Sequence, residues 1–433
     1  MRKTLVLLSL AVLFCNAGAW AQTAAPAAPW WNEDWNRRAP LVLPSPGVAL
    51  EGVPLVVSGR QLQELAGGES FSTGSLRVIG PQGEVPCQYD EYDGTGALVS
   101  APNHELDEDD ELWFQADLPA QGPAEYWLYW NTTPRPPGRY EVTVRVHDPV
   151  EPTSLAGDVQ FHNRACLIGL RGPATEEDPT KNTPKNWHSG TLTYIDMFRQ
   201  RVGGGFPSGA LFASPGTEIK KWSAPRQIAW GPVRCGAQIV LPEGTVNLGD
   251  DQTARVKVEH RAWLFDRGAW VLFEELVTPL DPIAKWRRTY LTQWRLNPDG
   301  SDKIFYSIQG EPKLYQPSAD ELQHGTGLRF NQPTDPWMVK YSPSEHLLTG
   351  AVLNEGEPRE GDLREGGSYG YADINLRHYD TLNNLAPNET LRRRFWYLGF
   401  QGDYGDGALA YAVPQVLSSR AASLGAVEKR GGG

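Results

Sequence analysis

The sequence has little cysteine, methionine or histidine: 4 Cys, 3 Met and 8 His among 433 residues. So few cysteines in so long a chain exclude a disulfide-stapled miniprotein. No CxxC pair and no Cys/His metal spacing occurs, so the sequence calls for no metal and no cofactor. Positive charge is also short. Lys and Arg total 40 against 52 Asp and Glu, a formal net charge of −12, which argues against nucleic acid or an anionic membrane as main partner. No apolar run approaches the roughly 20 residues of a spanning helix, so the chain reads as not membrane-spanning. Glycine (45), proline (35) and tryptophan (16) are abundant. That many Gly and Pro would break long helices. The 40% hydrophobic fraction excludes global disorder. An all-β, turn-rich protein with spare aromatic surface is expected.

Arg2 and Lys3 precede an apolar stretch from Leu5 to Phe14, and Ala19-Trp20-Ala21 fits a small-x-small cleavage rule. Residues 1–21 therefore read as a signal peptide and 22–29 (QTAAPAAP) as a flexible leader. The expected location is secreted or periplasmic. Lipidation at Cys15 is disfavoured by the bulky Phe14 before it. The mature chain would keep Cys87, Cys166 and Cys235. Cys166 and Cys235 could pair, which the sequence does not decide.

Residues 30–146 carry short β-prone runs: Leu41–Leu43, Pro54–Val57, Ser75–Ile79, Glu111–Phe114 and Tyr126–Trp130. Turn signals such as Pro81-Gln82-Gly83 separate them, the pattern of a β-sandwich. The strand at 140–146 could belong to this block or the next. The opening WWNEDWNRRAPLVL, the middle SLRVIGPQGEVPCQYDEYD and the closing DELWFQADLPAQGPAEYWLYWNTT resemble a family of extracellular bacterial sandwich modules. Those modules open on W-x-x-x-W-x-x-R, end in a tyrosine-rich strand, and have no agreed activity. The resemblance implies a jelly-roll-like fold.

Residues 149–402 hold longer strand candidates. Arg255–Phe265, Asp266-Arg267-Gly268 and Ala269–Val277 predict a hairpin. Strands follow at 287–296, 304–308, 346–353, 371–379 and 391–400. A β-domain of this size and strand length resembles the galactose-mutarotase-like supersandwich, a fold shared by mutarotases and by domains of many polysaccharide lyases. A sandwich module ahead of a supersandwich is a common order in those lyases. Residues 406–433 read as a short helix and a frayed tail.

Alternation assigns faces. Along Arg255–Phe265, Val256, Val258, His260, Ala262 and Leu264 form a core face, and His260 reads as a satisfied core histidine. Lys257, Glu259, Arg261, Trp263 and Phe265 form a face that mixes charge with aromatics, as a carbohydrate groove does. Tyr371, Asp373, Asn375, Arg377 and Tyr379 form a similar face. Arg288, Tyr290, Thr292 and Trp294 share a face, as do Arg392, Arg394 and Trp396. Trp187, Glu259, Arg261, Trp263, Asn375, Arg377 and Tyr379 are the candidate substrate-binding residues.

β-Elimination from a uronate needs a base, an acid and a group that stabilises the carboxylate. His188, at a loop-to-strand junction, Tyr194, Arg288 and Tyr290 are the candidate catalytic residues, with Arg377 as an alternative cation. A glycoside hydrolase would need two carboxylates about 5–10 Å apart. Glu259, Glu274, Glu275 and Asp373 are available, but no spacing singles out a pair. Mutarotation has no local signature. The acidic run 106–112 reads as a solvated loop rather than a calcium site. The sequons at Asn131 and Asn388 read as incidental. The expected function is a secreted carbohydrate-active protein, possible as a lyase acting on an acidic polysaccharide. The alternative is a non-catalytic glycan-binding or envelope protein. A polysaccharide or oligosaccharide is the expected partner. Oligomeric state is not legible.

Overall fold

Strands and short turns alternate through nearly all of the described chain, as the Gly- and Pro-rich punctuation requires. A computed structural model describes residues 29–430 except 44, 95, 100–101, 148–158, 171, 173–176, 179–182, 185–191, 199, 207–220, 250–251, 296–299, 309–310, 317–336, 354–359, 369–370 and 404–422. No helix among the described residues is long and apolar enough to cross a membrane. Residues 1–34 form a unit of their own, in which the Asn32 side chain accepts from the Asp34 amide at 2.9 Å. Residues 35–433 form the other, an all-β sandwich protein.

Its N-terminal part contributes two sheets. A six-stranded sheet runs in the order Ser423–Leu424, Arg37–Val42, Glu125–Trp130, Arg77–Gly80, Gly83–Val85, with Glu428–Lys429 also paired to Arg37–Val42. A three-stranded sheet runs Leu50–Ser58, Glu111–Leu118, Cys87–Asp90. The last described residues are thus not frayed. Leu424 is registered with Leu41 and Lys429 with Arg37. An extended tail there satisfies the open backbone groups of an edge strand. The ion pair of Glu428 with the buried Arg38 (2.6 Å) anchors it.

The rest of the chain builds an eight-stranded and a nine-stranded sheet. The eight-stranded order is Glu360–Ser368, Tyr371–Leu385, Ile283–Arg295, Gln200–Phe206, Leu192–Met197, Cys166–Leu170, Val159–His162, Arg145–His147. The ambiguous strand near 146 therefore belongs to this second part. The nine-stranded order is Arg226–Trp230, Arg234–Gly249, Gln252–Phe265, Ala269–Pro279, Leu391–Gln401, Leu347–Leu353, Trp337–Ser342, Lys303–Ile308, Glu311–Tyr315. The expected hairpin is present, with Leu264 opposite Val271.

Period-two alternation explains how the sheets stack. Val256, Val258, Ala262 and Leu264 enter a core shared with Ile168, Ile195 and Trp286 of the eight-stranded sheet. Trp263 and Phe265, one residue out of phase, enter a different core with Trp113, Phe114 and Leu128. Within the strand Glu111–Leu118, Phe114 faces Tyr126 of the six-stranded sheet, centroids 6.3 Å apart. Trp113 faces Phe265 and Trp396 at 5.5 and 6.3 Å. The layer order is six, three, nine, eight. The nine-stranded sheet is covered on both faces, so Ala269–Pro279 reads as an almost unbroken apolar run. Each large side chain buried in this way contributes about 1.5–3 kcal/mol.

Cys87, Cys166 and Cys235 are free thiols, so the pairing left open by the sequence is not formed. Burial pushes the Cys87 thiol up to about 11 and the Cys235 thiol up to about 12, which leaves Cys235 an inert core side chain and Cys87 an inert half-buried one.

Gly236 lies under the Trp263 indole. A Cβ there would sit 2.4 Å from a ring carbon of Trp263. Gly236→Ala is expected to lower stability by about 1–3 kcal/mol, because a buried indole has nowhere to move. Urea unfolding measures this, and an unchanged midpoint would contradict the packing described.

Candidate functional site

The interface between the three-stranded and nine-stranded sheets holds a cluster of buried charges. Arg234 is fully buried. Its guanidinium lies 4.1 Å from the Trp113 ring and 3.9 Å from the Trp263 ring. Nε and Nη2 donate to Asp90 Oδ2 at 2.9 and 2.7 Å, and Nη2 also donates to the Tyr92 hydroxyl at 2.9 Å. Its Nη1 has no hydrogen-bond partner among the described residues. Gln88 completes the corner, donating to Asp90 Oδ1 (2.9 Å) and accepting from the Arg234 amide (3.1 Å).

Two glutamates carry the rest. Glu111 Oε2 accepts from the Trp113 indole (2.9 Å) and the Tyr92 hydroxyl (3.2 Å), and its Oε1 pairs with Arg394. Glu274 Oε2 accepts from the Trp263 indole at 2.7 Å. Its Oε1 accepts from Arg394 Nε (2.8 Å) and Arg392 Nε (2.9 Å). Arg261 Nε donates to Glu259 Oε1 and its Nη2 to the Gly96 carbonyl, each at 2.6 Å. Four arginines thus face four carboxylates. An unpaired charge at this depth would cost several kcal/mol, so completeness of pairing is the condition for burial.

The titrations follow. Burial alone raises the Glu111 carboxyl, but Arg394, Arg392 and Arg234 outweigh it and hold it down to about 2. Glu274 is likewise raised by burial and then drawn well below the usual range by Arg392 and Arg394. Burial, with Glu111 next to it, raises Tyr92, which keeps its proton.

Beside this network a groove of about 590 Å³ opens between the turn at 92–97 and the far end of the nine-stranded sheet. Tyr92, Gly94, Gly96 and Ala97 form one wall. Lys257, Glu259, Leu276, Thr278, Leu280, Asn388, Thr390 and Arg392 form the other, with Asp109 at the rim. The Thr278 and Thr390 hydroxyls are 2.9 Å apart. The Asn388 amide donates to the Pro279 carbonyl at 2.9 Å in a turn with positive φ at Asn388.

The open sugar-binding face expected on Arg255–Phe265 needs correction. Arg261 and Trp263 have no exposed surface and Glu259 has 7%, because the three-stranded sheet covers this face. Arg394 and Trp396 of Leu391–Gln401 are buried in the same junction. On these two strands, arginine beside aromatic residues marks a packing interface. Only the Lys257–Glu259 end of the face reaches the groove. The acidic run also divides. Asp107, Glu108 and Asp109 are exposed, while Asp110 and Glu111 are buried. Asp110 accepts from the Tyr92 amide (2.9 Å) and the Asp107 amide (2.8 Å). Tyr92 was missed by sequence reasoning, because it lies in no periodic face and its partner Arg234 is far away in the chain, and Asp109 was read only as part of a solvated acidic run. His260 is a core histidine, 3.4 Å from Glu275 and against Trp222 and Phe273.

Trp187 and His188 lie outside the described residues. Tyr194, Arg288, Tyr290, Asn375, Arg377 and Tyr379 lie on the eight-stranded sheet. Tyr194 is registered with Gly169. Tyr290 is registered with His378 and Arg288 with Asp380, whereas Asn375, Arg377 and Tyr379 pair with Gln293, Leu291 and Thr289. The register therefore puts the 288/290 set and the 375/377/379 set in opposite phase. Among the described residues, no group of three or more His, Cys, Asp or Glu is arranged to hold a metal ion.

No family model and no curated protein matches the sequence. Solved structures similar in strand architecture include an alpha-mannosidase from Enterococcus faecalis V583, at 11% identity over 92% of this chain and 46% of that one, TM-score 0.46. A galactose mutarotase-like protein from Clostridium acetobutylicum matches at 8% identity over 60% of this chain and 99% of its own, TM-score 0.37. A mutant heparan sulfate lyase HepC from Pedobacter heparinus matches at 9% identity over 58% and 36%, TM-score 0.33. The chain spans less than half the length of the mannosidase.

The depressed carboxyls fix a pH dependence. A group whose folded pKa is lowered stabilises the protein above its unfolded value and loses that contribution as pH falls. For Glu111 the loss runs from its ordinary 4.5 down to about 2. Urea midpoints are expected to fall across that window. Glu111→Gln is expected to flatten the fall and to cost about 3–5 kcal/mol at neutral pH, since it leaves Arg394 under-paired. A variant as stable as the parent at pH 7 would contradict the network.

Proposed function

We propose that the protein binds glycans outside the cytoplasm, after export by a cleaved signal peptide, and that the junction groove is a binding site and not a catalytic one. The observation that carries the reading is the groove's mixed lining of hydroxyl, amide, charged and apolar groups. Sugars demand this combination, because each ring presents hydroxyls at its rim and C–H bonds on its faces. The adjoining acids argue against proton transfer. General acid–base work needs a pKa near the operating pH. Glu111 and Glu274 are held far below it by arginines, and Glu259 is occupied by Arg261. The reading also agrees with the resemblance of the two sequence blocks to a jelly-roll-like module and a galactose-mutarotase-like supersandwich.

A second reading is uronate cleavage by β-elimination. In its favour, Tyr194, Arg288 and Tyr290 share one sheet. That sheet would supply chemistry distinct from the groove, with His188 as base.

One experiment separates the two. Purified protein is titrated with a panel of oligosaccharides while turnover is followed by ultraviolet absorbance of unsaturated uronate products. Binding without turnover is expected. Thr278→Trp, which fills the groove, is expected to weaken binding by roughly tenfold or more with circular dichroism unchanged. Binding indifferent to this substitution would remove the groove from the account, and turnover of uronates would favour the lyase.

A further inference from the structure

The charges around the groove bear on which class of glycan it accepts, an inference that rests on the binding reading above. Four charged side chains line it: Lys257, Arg392, Glu259 and Asp109. They sum to zero. The layer beneath also sums to zero, with Arg234, Arg261 and Arg394 opposite Asp90, Glu111 and Glu274. No excess positive potential therefore reaches the opening.

The arginine that would bind a carboxylate is already occupied. Arg392 donates through Nε and Nη2 to Glu274, and its Nη1 lies 3.5 Å from Glu111 Oε1. Recognition of a uronate by arginine depends on a free two-pronged fork. Here the fork is turned inward. Its surface contribution is the exposed flank of a side chain that is 27% accessible. Glu259 is held in the same way by Arg261 at 2.6 Å. A polyanion would also approach a chain of net charge −12, which raises the work of association at low salt.

Two charged groups remain available. Lys257 and Asp109 are exposed, and neither has an ion pair among the described residues. They have opposite sign, so together they supply donors and acceptors without net charge. The Thr278 and Thr390 hydroxyls add a second donor–acceptor pair on the same wall. Hydroxyl groups, which both donate and accept, satisfy all four; a carboxylate, which only accepts, would be left against Asp109.

We infer that the groove selects an uncharged, hydroxyl-rich oligosaccharide over an acidic one, with Lys257 and Asp109 as the specificity-determining pair. Sugar hydroxyls in the groove accept from the ammonium and donate to the carboxylate. The buried arginines set the selectivity indirectly, by holding Arg392 and Glu259 out of contact with ligand charge.

The test is calorimetric titration of the protein from residue 22 onward with two matched sets: neutral gluco-, manno- and galacto-oligosaccharides, and uronate oligosaccharides of the same length. Low and high salt are compared. Neutral ligands are expected to bind with little salt dependence, since an uncharged ligand brings no charge for salt to screen. Lys257→Gln and Asp109→Asn are expected to weaken that binding by roughly tenfold each. Both positions are exposed, and unchanged thermal unfolding checks that the fold survives. Binding of uronates alone, weakened by salt and by Lys257→Gln, would overturn the neutral class while leaving glycan binding intact. Neutral binding unaffected by either substitution would overturn the role of the pair. If no glycan of either kind binds, the binding reading falls with the inference.

Discussion

Burying charge between two sheets is permitted only when every charge is matched, and that requirement organises this protein. Asp90, Glu111, Glu259 and Glu274 come from four strands and two sheets, and each is met by an arginine within hydrogen-bond reach. Removing one partner would leave a charge in a medium far less polar than water. The network therefore sets register as well as adhesion. A slip of one residue along Ala269–Pro279 would turn Glu274 into the opposite core and bring Phe273 or a second acid, Glu275, into its place. The two neighbouring glutamates show the constraint. Glu274 faces the arginines, and Glu275 faces His260 on the other side of the same sheet.

The indoles complete the arrangement. Trp113 and Trp263 clasp the Arg234 guanidinium while their N–H groups go to Glu111 and Glu274. Each tryptophan thus gives apolar area, a π face and a hydrogen bond to one cluster. The groove is a by-product of where this packing ends. Beyond Arg261 the three-stranded sheet gives way to the turn at 92–97, which touches the nine-stranded sheet through the Gly96 carbonyl. The remaining end of the face stays open.

Much of the strand pattern was legible in the sequence. Alternation along Arg255–Phe265 correctly divided the residues into two faces and assigned His260 to the core. The destination of the second face was not legible. Charge beside aromatics describes a sugar cleft and a buried ionic interface equally well. The distinction depends on Asp90 and Glu111, more than a hundred residues away in the chain. The tail was misread for the same reason, since Ser423–Leu424 and Glu428–Lys429 become strands only because the edge of Arg37–Val42 is vacant. Periodicity reports which side chains share a face; it carries no information on what covers it.

If the network fuses the N-terminal sheets to the larger sandwich, the two parts should open together. Native-state hydrogen exchange of the Glu111–Leu118 and Ala269–Pro279 amides tests this directly. Both strands are expected to exchange with the same opening free energy and to fall in step in Glu274→Gln. Independent exchange, with Glu111–Leu118 opening at its own lower free energy and unmoved by that substitution, would contradict the account.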